Sequence, residues 1–339
     1  MKWIVSLLAM GILMAQTKLR VGSTVPTDSP WEEALDVYIK EVQRRLGPDK
    51  VTFRKYLGGQ LGGELEMARS LRLGTLDIGV LSLASLAEGL GMPELQVLEM
   101  PFLFESNEEV DYVLDKLFPE LDRRLQEKGV VLILLGVNGW RNFGARDRAI
   151  LSPADLKGLK MRSQEAAVYT EMYKAFGATP IPLPAPEVLM ALKNKMIDGF
   201  DQTIVFSQAT GWLDQVKHYT LTQHIYQAGA IVMSKKVFDK LPPEFQAALR
   251  IADKRVEIEA VGLKRVRDEE QSLLAAIEKG GNIRIYRLSP AQREAFRKVA
   301  QTAYPKIEAA VGPEGKKLLA QIQAVLSEYR RQKKSTPSK

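Results

Sequence analysis

VVLILLGV, residues 130–137, is apolar at every position apart from Gly136. Its apolar and polar residues do not alternate, which is typical of a strand buried on both faces. A helical pattern over residues 108–128 precedes it, so a helix is available to cover one face. The segment therefore predicts the central strand of a parallel sheet with helices packed around it.

The regions on either side of this strand alternate between strand and helix patterns. Towards the N-terminus, strands are predicted in TKLRVGSTVP (17–26), VTFRKYL (51–57) and TLDIGVLSLASL (75–86), separated by helical patterns at 31–46 and after the glycine-rich GGQLGGE (58–64). Towards the C-terminus, helices are predicted at 166–176, 187–195, 243–279, from Ser289 onwards and at 314–331, with strands in AGAIVMS (228–234) and IRIYRL (283–288). The β-α-β-α-β order implies parallel pairing and places the chain in the α/β class.

The charge of the chain does not indicate a nucleic-acid partner. The 339 residues carry a formal net charge of +7, and the last eleven residues, YRRQKKSTPSK, hold five basic residues and no acidic one. Removing those five from +7 leaves +2, so the body of the protein is nearly neutral. We predict that the tail, 329–339, is a solvated, disordered end.

The N-terminal MKWIVSLLAMGILMAQ resembles a secretory signal. Lys2 precedes an apolar run from Trp3 to Ala15, which is shorter than the roughly 20 residues that a membrane-spanning helix needs. We predict a signal peptide at 1–15 and an exported protein that does not span the membrane after cleavage. A hydrophobic first strand or a membrane anchor is the alternative. The chain has no cysteine, which excludes disulfides, thiolate metal sites and lipid attachment through cysteine.

No residue pattern indicates catalysis or a cofactor. His218 and His224 are the only histidines, and neither belongs to an HExxH or other metal-ligand spacing. A GxSxG nucleophile motif is absent, and GGQLGGE lacks the GK[ST] ending of a phosphate loop. We therefore predict a protein that is not an enzyme and has no cofactor, while a metal ion that bridges a ligand stays open.

Two arginines in weakly charged surroundings are the candidate anion-binding groups. Arg141 follows the most apolar strand, and Arg162 ends the segment LKGLKMR. An arginine at the carboxyl edge of a parallel sheet faces the crevice where such folds bind ligands, and its guanidinium matches a carboxylate. The alternative for Arg162 is a salt bridge within the protein, for example with Glu165 or Asp155.

Several segments together resemble the solute-binding proteins of TRAP transporters, the DctP family. They are GGQLGGELEMARSLRLGTLDIGV (58–80), MPFLF (100–104), GWRNFGAR (139–146), SPADLKGLKMR (152–162), FGATPIPLPAPEVLMAL (176–192) and MIDGFDQ (196–202). The resemblance covers nearly the whole chain after the signal peptide, in order and with similar spacing.

The resemblance implies a two-lobed, periplasmic-binding-protein-like α/β fold with crossing hinge strands and a long connecting helix at 243–279. Lobe I would comprise 16–139 and 226–266, and lobe II 140–225 and 267–328. In this family the arginine corresponding to Arg162 binds the ligand carboxylate, and Arg141 corresponds to a second ligand contact. Gln202 stands where the family often has asparagine, so the side chain that carries the amide is longer by one methylene. The remaining expected wall positions are Thr24, Glu64, Ser82, Ser85, Trp140, Glu165, Asp201 and Phe206.

The function implied by the resemblance is ligand capture outside the cytoplasm. A small organic acid, with one carboxylate and an apolar body, would bind between the lobes and be delivered to the TRAP-type permease subunits in the membrane. The expected location is periplasmic or extracytoplasmic. The alternatives are a receptor of the same fold for a largely apolar ligand, with Arg162 paired internally, and a sensor receptor.

Overall fold

A computed structural model describes residues 16–335 of the chain. The predicted signal peptide and the last four residues of the predicted tail lie outside this range. The described residues form one mixed sheet with helices on both sides of it.

Nine strands occur in the described part of the chain. They are β1 (Thr17–Ser23), β2 (Val51–Tyr56), β3 (Ile78–Ser82), β4 (Val130–Ala145), β5 (Lys160–Ser163), β6 (Thr179–Pro182), β7 (Gly199–Gln202), β8 (His218–Ser234) and β9 (Arg284–Arg287).

Twelve α-helices are assigned between residues 16 and 335. They are α1 (Pro30–Leu46), α2 (Glu64–Leu73), α3 (Leu83–Leu90), α4 (Asn107–Glu127), α5 (Ala167–Ala175), α6 (Ala185–Lys193), α7 (Ile204–Ala209), α8 (Lys235–Phe238), α9 (Pro243–Arg250), α10 (Arg255–Gly280), α11 (Pro290–Gln301) and α12 (Tyr304–Ser335).

The sheet consists of two parallel groups joined by two long antiparallel strands. Its order is β2-β1-β3-β8-β4-β7-β5-β6, and β9 pairs with β8. We call β2, β1 and β3 with their helices lobe I, and β7, β5 and β6 with their helices lobe II. Because β4 and β8 are 16 and 17 residues long, each runs through both lobes. These two strands therefore connect the lobes, and the exact lobe boundaries in the sequence stay a prediction.

The prediction for residues 130–137 is confirmed for the position of the strand and wrong for its neighbours. β4 lies at the centre of the sheet, and residues 130–135 are buried. Its partners β8 and β7 both run antiparallel to it. The chain passes from lobe I to lobe II along β4 and returns along β8, so the two passes have opposite directions.

The junction between the lobes is marked by an irregular register in this pair. The β4–β8 pairing shifts between Val137 and Gly139, and Gly139 adopts φ +106°. A positive φ of this kind favours glycine, which has no Cβ to clash with the backbone. The shift lies next to Asn138, whose position in the site is described below.

Two predicted elements are divided in the structure. The strand predicted over 75–86 ends at Ser82, and α3 follows directly. Ser82 is the N-cap residue of α3, because its side chain accepts a hydrogen bond from the Ser85 amide. The helix predicted over 243–279 is interrupted after Arg250, because Ile251 adopts φ +41° and is fully buried. The second part, α10, contacts α1 in lobe I and α7 in lobe II, as expected of a connecting helix.

The basic C-terminal segment is helical as far as Ser335, in contrast to the predicted disorder from residue 329. The guanidinium of Arg330 donates two hydrogen bonds to the Glu109 carboxylate on α4, at 2.7 and 2.8 Å. Within α12, Gly312 adopts non-helical angles immediately before Pro313, so the element consists of two helices with a kink between them.

The two lobes touch along the glycine-rich segment and the proline-rich segment. A Cβ added to Gly59 would lie 2.5 Å from Pro186 Cγ, and one added to Gly63 would lie 3.0 Å from Pro184 Cβ. Behind this contact the Gln164 amide of lobe II donates to the hydroxyls of Ser82 and Ser85 in lobe I, at 2.7 and 2.6 Å. The structure therefore shows the lobes in a closed arrangement.

Gly63→Ala should shift the protein towards a more open arrangement. Gly63 has φ −79°, which alanine adopts without strain. Its new methyl group would lie 2.8 Å from Glu66 Oε2, the end of a flexible side chain that can move away, and 3.0 Å from Pro184 Cβ, a contact that exists only when the lobes are closed. Overpacking of this kind costs about 1–3 kcal/mol. Small-angle X-ray scattering should show a larger radius of gyration than for the unchanged protein and for the control Gly280→Ala, whose Cβ would meet no atom within 4 Å. Identical scattering from all three would contradict the closure contact.

Candidate functional site

The carboxyl ends of the parallel strands from both lobes meet at one narrow cavity. This is the edge of an α/β sheet at which ligands bind. Lobe II supplies Arg162, Gln164, Glu165, Pro184, Ala185, Gln202 and Phe206. Lobe I supplies Thr24, Glu64 and Ser85, and the crossing strands supply Asn138 and Gln227.

Arg162, at the end of β5, is a buried cation without a counter-ion. Only 3% of its surface is exposed. Its Nε and Nη2 donate to the Leu183 carbonyl at 3.0 and 2.8 Å, whereas Nη1 has no hydrogen-bond partner. Within residues 16–335 no carboxylate forms an ion pair with it, and its guanidinium carbon lies 5.4 Å from the centre of the Trp212 ring. The internal salt bridge with Glu165 or Asp155 is therefore absent from this structure.

The electrostatics of Arg162 follow from this arrangement. Burial, together with the positive charge of Arg141, lowers the pKa of Arg162 to about 10. A group with that pKa stays protonated at neutral pH, so the protein carries an unpaired positive charge at the cavity. A buried charge of this kind is unfavourable unless an anion compensates it.

Arg141, on β4, has a different environment. It is fully buried, and its Nε donates to Asp201 Oδ2 on β7 at 2.7 Å. Its Nη2 donates to the Asp201 carbonyl, and its guanidinium carbon lies 4.5 Å from the centre of the Tyr169 ring. Burial alone would raise the pKa of Asp201, but Arg141 and His224 outweigh it and hold that pKa well below its usual range. Arg141 is thus neutralised within the protein.

Arg141 also orients three glutamine side chains of the cavity wall. Its Nη1 donates to the Oε1 atoms of Gln227, Gln164 and Gln202, at 3.0, 3.3 and 3.3 Å. Because the oxygen of each amide is held by the cation, the orientation of each amide group is fixed. The Gln227 amide donates in turn to Gln164 Oε1 at 2.7 Å.

Gln202, at the end of β7, is the second donor that faces the cavity. Its Oε1 accepts hydrogen bonds from Arg141 and from the Thr203 amide, at 3.3 and 2.8 Å. Its Nε2 makes no hydrogen bond to any residue in the described range. The neighbouring ends of β5 and β7 therefore hold two unused donors, Arg162 Nη1 and Gln202 Nε2, on residues that line the same cavity.

The wall formed by lobe I is organised by Glu64, at the start of α2. Its carboxylate accepts hydrogen bonds from Thr24 Oγ1 at 3.1 Å and from Ser82 Oγ at 2.5 Å. The carboxylates of Glu64 and Glu165 supply the negative charge around the cavity. Burial and the charge of Glu66 raise the pKa of Glu165. This wall offers acceptors to hydroxyl groups of a ligand and repels a second ligand carboxylate.

The structure brings most of the sequence-predicted site residues to this cavity. The residues that line it are Arg162, Gln202, Thr24, Glu64, Ser85, Glu165 and Phe206. Four others lie outside its lining. Arg141 and Asp201 pair behind it, and Ser82 faces a neighbouring cavity. Trp140 is buried and donates to Asn107 Oδ1 at 2.9 Å.

Sequence reasoning missed three amide residues of the site. Gln164 lies only two residues after Arg162, where the side chain again points to the same face of the strand. Asn138 is the first polar side chain after the apolar run 130–137, and Gln227 directly precedes the apolar run 228–234. A polar residue at the end of a buried strand was the available signal for the last two.

Both histidines have structural partners. His224 is fully buried between Asp201 and Thr222 and stacks on Phe143 with 4.3 Å between ring centres. His218 Nδ1 lies 2.9 Å from the Tyr286 hydroxyl. Among residues 16–335, no group of three or more potential metal ligands is found.

A family model described as bacterial extracellular solute-binding protein, family 7 (DctP), matches residues 21–310. The chain belongs to this family. Members of the DctP family are substrate-binding receptors, and the resemblance seen in the sequence is confirmed.

Known DctP-type proteins match the chain in sequence and in structure. The 2,3-diketo-L-gulonate-binding periplasmic protein YiaO of Escherichia coli K12 is 31% identical over 242 residues, which cover 71% of this chain and 70% of that protein. The TRAP periplasmic solute-binding protein of Polaromonas sp. JS666, bound to D-erythronate, has 29% identity and a TM-score of 0.83 over 91% of this chain and 99% of its own. The TRAP periplasmic solute-binding protein of Sulfurospirillum deleyianum, with bound succinate, has 27% identity and a TM-score of 0.83. The match covers 92% of this chain and 100% of that protein.

These structures confirm the predicted fold class, a two-lobed α/β solute-binding protein. None of the helices between residues 16 and 335 has the length and apolar character needed to span a membrane.

Asp201→Asn should destabilise the protein strongly, although the substitution preserves the shape of the side chain. It removes the charge that compensates buried Arg141, and breaking a buried ion pair on one side costs about 3–5 kcal/mol. Denaturant unfolding followed by circular dichroism should show the loss, whereas the exposed control Asp214→Asn should unfold at the same midpoint as the unchanged protein. An Asp201 variant as stable as that control would show that Arg141 does not depend on this carboxylate.

Proposed function

We propose that this protein captures a small organic acid by binding one carboxylate on Arg162, encloses it between the lobes, and delivers it to TRAP-type permease subunits. The observation that carries the proposal is the unpaired guanidinium of Arg162, buried at the edge of the cavity with Nη1 unused. A carboxylate at Nη1 would compensate the charge and accept a charge-assisted hydrogen bond. Family membership supports this role, since the relatives reported above are named for, or bound to, carboxylates.

A single carboxylate fits the cavity better than two. Arg162 is the only cationic side chain among the described residues that line it, and Glu64 and Glu165 face the same space. A second carboxylate would meet these acidic groups without a cation of its own. Gln202 Nε2 is placed to donate to the same carboxylate or to an oxygen next to it.

Enclosure of the ligand follows from its contacts with both lobes. Arg162 and Gln202 belong to lobe II, while Thr24, Glu64 and Ser85 cover the cavity from lobe I. A ligand that touches both sets has more contacts in the closed arrangement and therefore favours closure. Binding followed by transfer requires no chemical step, so the proposal assigns the protein no enzymatic activity. It also places the protein outside the cytoplasm, where the DctP-type receptors work.

The rival in which the ligand is largely apolar requires Arg162 to be paired inside the protein. Among the described residues its only hydrogen-bond acceptor is the Leu183 carbonyl. That oxygen is neutral and leaves the charge uncompensated, which favours an anionic ligand.

Arg162→Gln should weaken acid binding at least tenfold, because a hydrogen bond to a charged group contributes about 1.5–3 kcal/mol. The protein is first unfolded and refolded to remove any retained ligand. Acids including D-erythronate and succinate are then screened by thermal shift, with neutral erythritol for comparison, and the tightest acid is measured by calorimetry.

Lys160→Gln is the matched control, since Lys160 is an exposed cation on the same strand. It should bind the acid like the unchanged protein. Equal affinity in the Arg162 variant, with its fold verified by circular dichroism, would refute the carboxylate anchor. Stabilisation by neutral compounds alone would favour the apolar-ligand rival.

A further inference from the structure

A second cavity, of about 70 Å³, lies beneath α10 and directly beside the polar cavity. Its apolar walls come from β3, from the crossing strands and from α1 and α10, and include Leu35, Leu81, Leu135, Val137 and Ile258. We call it the apolar chamber.

The apolar chamber adjoins the polar cavity. Glu64 and Asn138 line both of them. A molecule whose polar end lies at Arg162 would reach the chamber by passing these two residues. Glu259 also lines the chamber, and its carboxylate accepts a hydrogen bond from the Leu135 amide at 2.7 Å.

Glycines in the walls keep the chamber empty. Gly136 on β4 and Gly229 on β8 are directly paired, and each interrupts an otherwise apolar segment. A Cβ on Gly136 would meet no atom closer than the Gly229 carbonyl oxygen, at 4.0 Å. Neither residue has a positive φ, so the backbone does not require glycine at these positions. Glycine within a strand commonly marks a place that something else approaches closely.

The helix above the chamber also contributes a glycine to its wall. α10 is 26 residues long, yet only Ile258 and Val266 are buried on it. Gly262, at its middle, has no positive φ, but a Cβ there would lie 3.2 Å from the Ala34 Cβ on α1. This glycine therefore also permits the close approach of the two helices. The paired strand glycines, Gly136 and Gly229, are the positions where a side chain would otherwise fill the chamber.

We propose that the apolar chamber receives an alkyl or aryl group of the ligand whose carboxylate binds Arg162. The natural ligand is then an amphipathic monocarboxylic acid, longer than the polar cavity alone would hold. This inference rests on the proposed carboxylate anchor and adds where the apolar body of the ligand lies and what kind of group it is. The chamber matches such a group because most of its walls are apolar, and because it shares Glu64 and Asn138 with the polar cavity.

The test is calorimetry of straight-chain acids from butanoate to octanoate, with D-erythronate as a short polar acid, on ligand-free full-length protein. Affinity should rise about fourfold for each added methylene that enters the chamber, as expected for burial of a CH₂ group. Gly136→Val places two methyl groups in the chamber and should reduce the octanoate-to-butanoate affinity ratio at least about tenfold. Ala34→Leu, a substitution in the α1 wall of the chamber, should reduce the same affinity ratio. It replaces Gly136→Val as the test variant if that protein does not fold.

The outcomes separate this inference from the proposed function. If D-erythronate or butanoate binds in an Arg162-dependent manner but affinity does not rise with chain length, the chamber proposal is wrong and the carboxylate anchor stands. A rise with chain length that survives both chamber substitutions also overturns it, because the alkyl group then lies elsewhere. If no acid binds, both proposals fail.

Discussion

The ion pair between Arg141 and Asp201 organises the centre of this protein. It joins β4, which crosses between the lobes, to β7 of lobe II, and both side chains are fully buried. Through its third nitrogen Arg141 holds the amide oxygens of three glutamines, which form part of the cavity wall. Since an uncompensated buried charge is unfavourable, this pair holds the strands, the amides and the shape of the cavity together.

The contrast with Arg162 distinguishes a structural cation behind the cavity from the proposed binding cation in its wall. The two arginines lie close enough for the charge of Arg141 to help lower the pKa of Arg162. Asp201 compensates Arg141, and no described carboxylate pairs with Arg162. The protein thereby keeps one positive charge that only an added anion neutralises. A ligand that provides it also fills the space between the lobes, so charge compensation and closure favour the same state.

The sequence indicated the fold class and the proposed carboxylate anchor, Arg162, but not the directions in which the strands pair. The apolar run 130–137 showed that β4 is central, yet a run without alternation carries no information on strand direction. For the same reason residues 83–86, which begin α3, were assigned to a strand. Arg141 was expected to be a second ligand contact beside Arg162, because its partner Asp201 is distant in sequence and only the structure shows that they pair. Asn138 and Gln227 were missed, since only the pairing of β4 with β8 brings them to the site.

The most direct measurement of the central claim is a crystal structure of the protein with the acid that binds most tightly in calorimetry. The account predicts a carboxylate oxygen within hydrogen-bond distance of Arg162 Nη1 and of Gln202 Nε2, with the Arg141–Asp201 pair unchanged. A ligand carboxylate bound elsewhere, with Arg162 paired to Glu165, would contradict it.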